Sequence, residues 1–329
     1  MNADQKAIIK LVGILSVFLI PFIPLNIYVF QTSPFFAKQQ KYHTTIENFF
    51  TRPNAKVLIA GDSHPEVLDN KFLNEEAYNI SSGGDGLKEV YVKLKYVLER
   101  PNQVKTLLLT TDPHMVGRKR INSANKSFLN AYVLRIWDFK IYGKDAASVS
   151  SDMVPLFNDS YMEYLNQKIK DVFSGATDKR QLYEDLRQDH SLWGSDRFTQ
   201  EERVGYAIKT GRSDFSGVLE DTTINGYYRR IFQLCQEHNI QVYGVKYPAM
   251  NEYLAQLDPA DEQKLNTFFS QLPFAGMLDY RKFPQEPRFY KNEDHVNDAG
   301  ALILLGRLET DLGYELSGVE TPAYTDAQP

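Results

Sequence analysis

The chain reads as short apolar runs alternating with segments whose apolar positions recur at helical spacing. Lys56–Ala60, Ala77–Ile80, Thr106–Thr111, Gln241–Tyr247 and Gly276–Tyr280 are too short for helices and predict strands. Thr106–Thr111 is continuously apolar or β-branched, which suits a parallel strand buried on both faces. Between the first runs, Leu87 to Arg100 carries apolar residues at Leu87, Val90, Tyr91, Leu94, Val97 and Leu98, the stripe of an amphipathic helix. Thr223–His238, Glu262–Leu272 and Asp298–Leu312 predict three more helices. Strands alternating with helices predict an α/β fold, with a central parallel sheet covered on both faces.

Two stretches break this rhythm. Residues 114–221 are rich in aromatic and charged side chains and contain no clean strand. They predict a mostly helical insertion or lid, with helices over Tyr161–Phe173 and Lys179–Arg187. Because it leaves a strand at its carboxyl end, such an insertion would overhang that edge of the sheet. Its aromatics, including Trp137, Tyr142, Tyr161, Tyr164 and Trp193, suit either apolar packing or stacking on sugar rings.

The second stretch is at the amino terminus. Leu11–Phe30 is almost wholly apolar, and about 20 such residues cross a bilayer core. Lys6 and Lys10 precede it, and Lys38 and Lys41 follow. A cleaved signal peptide has a shorter apolar core and a small-x-small site. No such site follows here, which favours an uncleaved transmembrane anchor. The main domain would then face the periplasm or the exterior of the cytoplasmic membrane. The expected division is an anchor and linker over 1–54, with a short helix at Lys41–Phe50, a domain over 55–316 and a disordered tail over 317–329.

Composition changes this picture little. The 329 residues are 43% hydrophobic and 24% charged, with a net charge of -5, as a folded globular protein requires. No long basic run is present, which argues against a nucleic-acid partner. Cys235 is the only cysteine, so there is no internal disulfide and no Cys/His zinc pattern. It falls in an amphipathic helix and reads as a buried structural thiol.

Candidate chemistry begins where the first strand ends, at Gly61-Asp62-Ser63-His64. A glycine there permits a sharp turn, and the serine after it stands at the carboxyl edge, where open α/β sheets bind ligands. A serine nucleophile needs a base and donors for the oxyanion. His295, in Asn292-Glu293-Asp294-His295-Val296-Asn297, returns to the same edge just before the last helix, which Asn297 or Asp298 can cap. Backbone N–H groups of Ser63 and of Gly84, in the glycine-rich turn Ser81-Ser82-Gly83-Gly84-Asp85, are candidate oxyanion donors. That turn lacks the spacing of a dinucleotide or phosphate loop. Asp62 suits either holding the turn or acting directly, and His64 suits either a site residue or a helix start.

Together these blocks resemble the SGNH/GDSL hydrolase superfamily, and its acetyltransferase-like branch in particular. The similarity runs from about Val57 to Leu312, leaving out the insertion. It implies a three-layer sandwich, a Ser63–His295 acyl-enzyme and an oxyanion hole at Ser63 and Gly84. It also implies work beside a membrane-bound O-acyltransferase on an exported polysaccharide. Such chemistry needs no metal or soluble cofactor.

Two departures stand out. The family's acid lies three residues before the histidine, where this chain has Asn292, so Asn292, Asp294 and Asp279 are all candidate orienters of His295. The Gly-x-Asn-Asp block is replaced by Thr110-Thr111-Asp112-Pro113-His114. An ionised Asp112 would repel an oxyanion, whereas His114 could donate to one. Two functions stay open: a membrane-anchored serine O-acyltransferase or esterase, and a non-catalytic accessory or glycan-binding subunit with a degenerate site.

Overall fold

The computed structural model describes residues 34–121 and 199–321, together with residue 166 and scattered positions between 10 and 28. The predicted helices Tyr161–Phe173 and Lys179–Arg187, and the aromatics Trp137, Tyr142, Tyr161, Tyr164 and Trp193, lie outside these residues apart from position 166. Nine of the 20 residues of Leu11–Phe30 do too. Among the described residues, no helix is long and apolar enough to cross a membrane.

In chain order the elements are α1 (Pro34–Glu47), β1 (Val57–Ala60), α2 (Ser63–Glu66), β2 (Ala77–Asn79), α3 (Leu87–Leu98) and β3 (Thr106–Thr110). Then come α4 (Gln200–Asp214), α5 (Thr222–Glu237), β4 (Gln241–Lys246), α6 (Asn251–Leu254), α7 (Pro259–Ser270), β5 (Gly276–Asp279) and α8 (Asp298–Leu312). The five strands form one sheet in the order β2-β1-β3-β4-β5, and every pairing is parallel.

Period-two alternation sorts the strand side chains onto two faces. Leu58, Ala60, Leu107, Leu109 and Val242 pack with residues of α1, α3, α5 and α7. Val57, Ile59, Leu108 and Val245 pack instead with α8 and with Leu68 and Phe72. The sheet is therefore covered on both faces. Cys235 is buried in the first of these cores, where burial pushes its thiol up to about 12.

Three expectations need adjusting. The linker helix is α1, which starts at Pro34 and ends at Glu47; a 3-10 turn over Asn48–Thr51 replaces its predicted end. Tyr42, Ile46 and Phe49 join the core, so this segment is welded to the domain and does not hang from it. Second, both described ends of the insertion are packed in: His114, Met115 and Val116 are buried, and α4 contributes Ala207 to the core. Third, the tail does not start free. Ser317 pairs with Leu73, and the N–H of Gly318 donates to the carbonyl of Phe72 at 2.7 Å.

Candidate active site

Three turns meet at the carboxyl edge of the sheet. The first follows β1. A Cβ on Gly61 would lie 2.5 Å from Pro65 Cγ and 2.7 Å from Thr110 Cγ2, so only glycine fits between β3 and the start of α2. Asp62 caps α2, accepting the N–H of His64 at 3.3 Å. That turn lifts half-buried Ser63 to the edge and turns His64 inward, where it is 4% exposed.

The second turn follows β2. Gly84 adopts a φ of 90°, a conformation that glycine takes without strain. The neighbouring Gly83 lies against the serine, since a Cβ on it would stand 3.5 Å from Ser63 Cβ. Its N–H donates to Glu66 Oε2 at 2.6 Å, and Glu66 Oε1 pairs with Lys41 of α1 at 3.0 Å. Behind the turn, Asp85 pairs with Lys93 of α3, and both side chains are fully buried.

The third turn precedes α8 and is closed by a bridge between Tyr290 and Val296. Asn292 holds it: Oδ1 accepts the N–H of His295 at 2.8 Å and that of Asp294 at 3.3 Å. The same oxygen lies 2.9 Å from His295 Nδ1, and Asp294 Oδ1 lies 2.7 Å from it. Both partners are acceptors, so Nδ1 carries the proton and Nε2 the lone pair. Nε2 is buried and has no hydrogen-bond partner among the described residues. Asn297 caps the helix, accepting the N–H of Gly300 at 3.1 Å. Of the candidate orienters, Asn292 and Asp294 both reach the imidazole. Asp279 does not, because its carboxylate is taken by Arg281 at 2.6 Å and faces Lys246 at 3.9 Å.

His64 stands between the other groups. Its ring lies 4.8 Å from that of His295, edge-on, and 4.2 Å from that of His114. Its Nδ1 is 2.7 Å from Asp112 Oδ2, and its Nε2 is 3.5 Å from Asp294 Oδ2. Asp112 Oδ2 also accepts from Thr110 Oγ1 at 3.3 Å, and its Oδ1 accepts the N–H of Tyr247 at 2.9 Å. Asp112 therefore anchors His64 and is committed there. His114, a possible oxyanion donor on sequence grounds, gives Nε2 to Asp62 at 2.7 Å. Arg120 joins it at 2.5 Å from the same Asp62 oxygen. Ser63 Oγ donates to Asp62 at 3.4 Å and makes no hydrogen bond to His295 Nε2.

Charge sorts itself accordingly. Burial lowers the affinity of His64 for a proton, but Asp112, with further help from Asp294, holds its pKa well above the usual histidine range. With carboxylates facing both of its ring nitrogens, His64 is held toward its protonated form. Burial likewise works against Asp62 and Asp294 as carboxylates. His114 and Arg120 hold Asp62 well below the usual range, and His295 with His64 does the same for Asp294. Burial also lowers His295, which Asp294 opposes and the positive charges of His64 and Lys291 reinforce. The net effect lowers His295, whose ring is oriented through Nδ1.

Two groups bring possible cation ligands within 4.8 Å of one another: His64, Asp294 and His295, and His64, Asp112 and His114. His64 faces carboxylates with both ring nitrogens, which is a pattern of shared protons. A metal would take one nitrogen of each ring.

Sequence reasoning missed Arg120, Glu66 and Lys93. Only Lys93 left a signal: a lysine set among the apolar positions Val90, Leu94 and Val97 of its helix. No family model matches the chain, and no curated protein matches it.

Proposed function

We propose that this chain is a membrane-anchored serine acyltransferase or esterase of the SGNH/GDSL type. It would act on an exported polysaccharide at the outer side of the cytoplasmic membrane. The observation that carries this reading is His295, whose ring is oriented through Nδ1 by Asp294 and Asn292 and whose basic nitrogen is uncommitted. It lies beside the residue that follows a strand-end serine.

In this mechanism Ser63 leaves Asp62 by rotating its side chain, and Oγ attacks the acyl carbonyl. Its proton passes to His295 Nε2, and backbone N–H groups of Ser63 and Gly84 hold the oxyanion. The alcohol departs with that proton, leaving an acyl ester on Ser63. A sugar hydroxyl, or water, then gives its proton to His295 and takes the acyl group, and His295 returns that proton to Ser63 Oγ as the ester bond breaks. Asp294 stays ionised throughout and stabilises the imidazolium as it forms. The membrane contact would be Leu11–Phe30, and the partner a membrane-bound O-acyltransferase. Whether the acyl group ends on sugar or water depends on how well the site excludes solvent.

One observation favours the second reading, a non-catalytic accessory or glycan-binding subunit: Ser63 is hydrogen-bonded to Asp62 and not to His295. Labelling of the full chain with a serine-reactive fluorophosphonate separates the two. The enzyme reading expects labelling that disappears in both Ser63→Ala and His295→Ala. A folded chain that never labels and has no esterase activity would sink the enzyme reading.

A further inference from the structure

The acid that serves His295 is adjacent to it in sequence, an awkward place for an orienter. A side chain one residue away starts beside the ring, not behind it, and many rotamers carry it elsewhere. Asp294 nevertheless puts Oδ1 2.7 Å from His295 Nδ1. What fixes that rotamer is on the other oxygen. Oδ2 faces His64 Nε2 at 3.5 Å, and His64 is itself held by Asp112 at 2.7 Å. Asp112 cannot swing away, since Thr110 Oγ1 and the N–H of Tyr247 bind it too. The side chains of His64 and Asp112 are 3% and 4% exposed, so neither water nor a mobile surface group supplies this restraint.

We infer that His64 is a positioning residue for the reaction proposed above: a buried ring, anchored by Asp112, that holds Asp294 in the rotamer that serves His295. The chain Asp112–His64–Asp294–His295 makes the β3 turn part of the catalytic geometry, with Asp112 acting only through other side chains. No proton leaves His64 during turnover. The proton of Ser63 stops at His295 Nε2, and His64 acts through charge and hydrogen bonding alone. This inference rests on the Ser63–His295 mechanism and adds how the base is aimed.

A compensating substitution tests it. His64→Leu fills much of the ring's volume but donates nothing, so Asp294 loses its restraint. Asn292 Oδ1 already lies 2.9 Å from His295 Nδ1, so Asn292→Asp would supply a carboxylate that does not depend on His64. With the full chain and 4-nitrophenyl acetate, H64L is expected to lower kcat by about 10²–10³-fold, with KM changed by less than about 3-fold. H64L/N292D should recover to within about 10-fold of the original kcat. The acid limb of kcat/KM in H64L should also move to higher pH, because a positive charge beside His295 is gone. A purely structural role for His64 would move neither the rescue nor the limb.

H64L with an unchanged kcat and pH profile overturns the inference, and so does a double variant no better than H64L. If H64L does not fold, the unmodified chain still decides. Nitrogen-15 NMR should find both ring nitrogens of His64 protonated at about pH 7.5, a unit above free histidine; a neutral ring there refutes it. A chain whose activity is lost to a chelator and restored by zinc alone refutes it as well, because those residues would then be metal ligands. An unmodified chain that never labels with fluorophosphonate overturns the Ser63 mechanism itself. Normal labelling with an indifferent H64L overturns only the role of His64.

Discussion

Lys93→Met tests how the glycine-rich turn beside Ser63 is held. The ammonium of Lys93 pairs with Asp85 and donates to the carbonyl of Ile80, and it stands 5.3 Å from the ring of Tyr42. Both charged side chains are fully buried. Methionine keeps the length and most of the volume, so the loss is of charge and donors. The buried Asp85 then loses the ammonium of Lys93, and the Ile80 carbonyl loses a donor. Glu89 close by cannot relieve this, because burial and the charge of Asp85 already push its carboxyl up to about 7.

Removing one partner of a buried pair costs about 3–5 kcal/mol, against a total stability of about 5–15 kcal/mol for a domain. Replacing both partners by apolar groups is often close to neutral. Lys93→Met/Asp85→Ala should therefore lie nearer the original chain than Lys93→Met does. Urea unfolding followed by circular dichroism gives the two differences, and the fluorophosphonate labelling rate reports the turn itself. A single substitution that costs less than about 1 kcal/mol would refute the reasoning. So would a double variant less stable than the single.

Gly61→Ala should destabilise by about 1–3 kcal/mol and slow labelling further than that loss explains. The new methyl meets the Pro65 ring and the Cβ of Thr110, and neither can turn aside without moving Ser63; labelling at the original rate would contradict this. Because burial holds His295 neutral to a lower pH than usual, the acid limb of kcat/KM should fall below about pH 6.5; a limb above that value would refute the assignment of the base. Stability should fall on both sides of a central range. Asp62 and Asp294 are depressed, so their contribution is present above about pH 4 and lost as pH drops through their folded values. His64 is raised, so its contribution is complete below about pH 6.5 and lost as pH climbs through its folded value. Thermal melts across pH check this, and stability that keeps rising into alkali would contradict the role given to His64.

The strands were legible because each is a short, largely apolar run, buried on both faces in β1, β2 and β3 and more open in β4 and β5, and their ends fell within one or two residues of the predicted positions. The turns that carry Ser63, Gly84 and His295 follow from those ends. Helix α4 escaped notice for a physical reason: only Ala207, Gly211 and Asp214 are buried along its 15 residues, so it shows almost no apolar stripe. Arg120 left no trace at all, since nothing local connects it with Asp62, 58 positions away. The orienter of His295 was ambiguous because spacing describes reach, not rotamer. Asn292 and Asp294 converge on one nitrogen only because the loop doubles back between Tyr290 and Val296.

A regularity in the sequence becomes meaningful only in three dimensions. Three aspartates at this edge of the sheet each stand one or two positions before a histidine: Asp62 and His64, Asp112 and His114, Asp294 and His295. Read locally, these are three separate pairs. In the fold the first two exchange partners: Asp62 takes the ring of His114, and Asp112 takes the ring of His64. At the β1 turn, Asp62 Oδ1 accepts the backbone N–H of His64, while that histidine's ring faces Asp112 after β3. Crossed pairing ties the two turns together with charged hydrogen bonds in a buried place, where breaking either leaves a charge unpaired. The serine's setting then depends on β3 as much as on its own strand. A substitution at Asp112 should therefore slow fluorophosphonate labelling more than it lowers stability in urea unfolding.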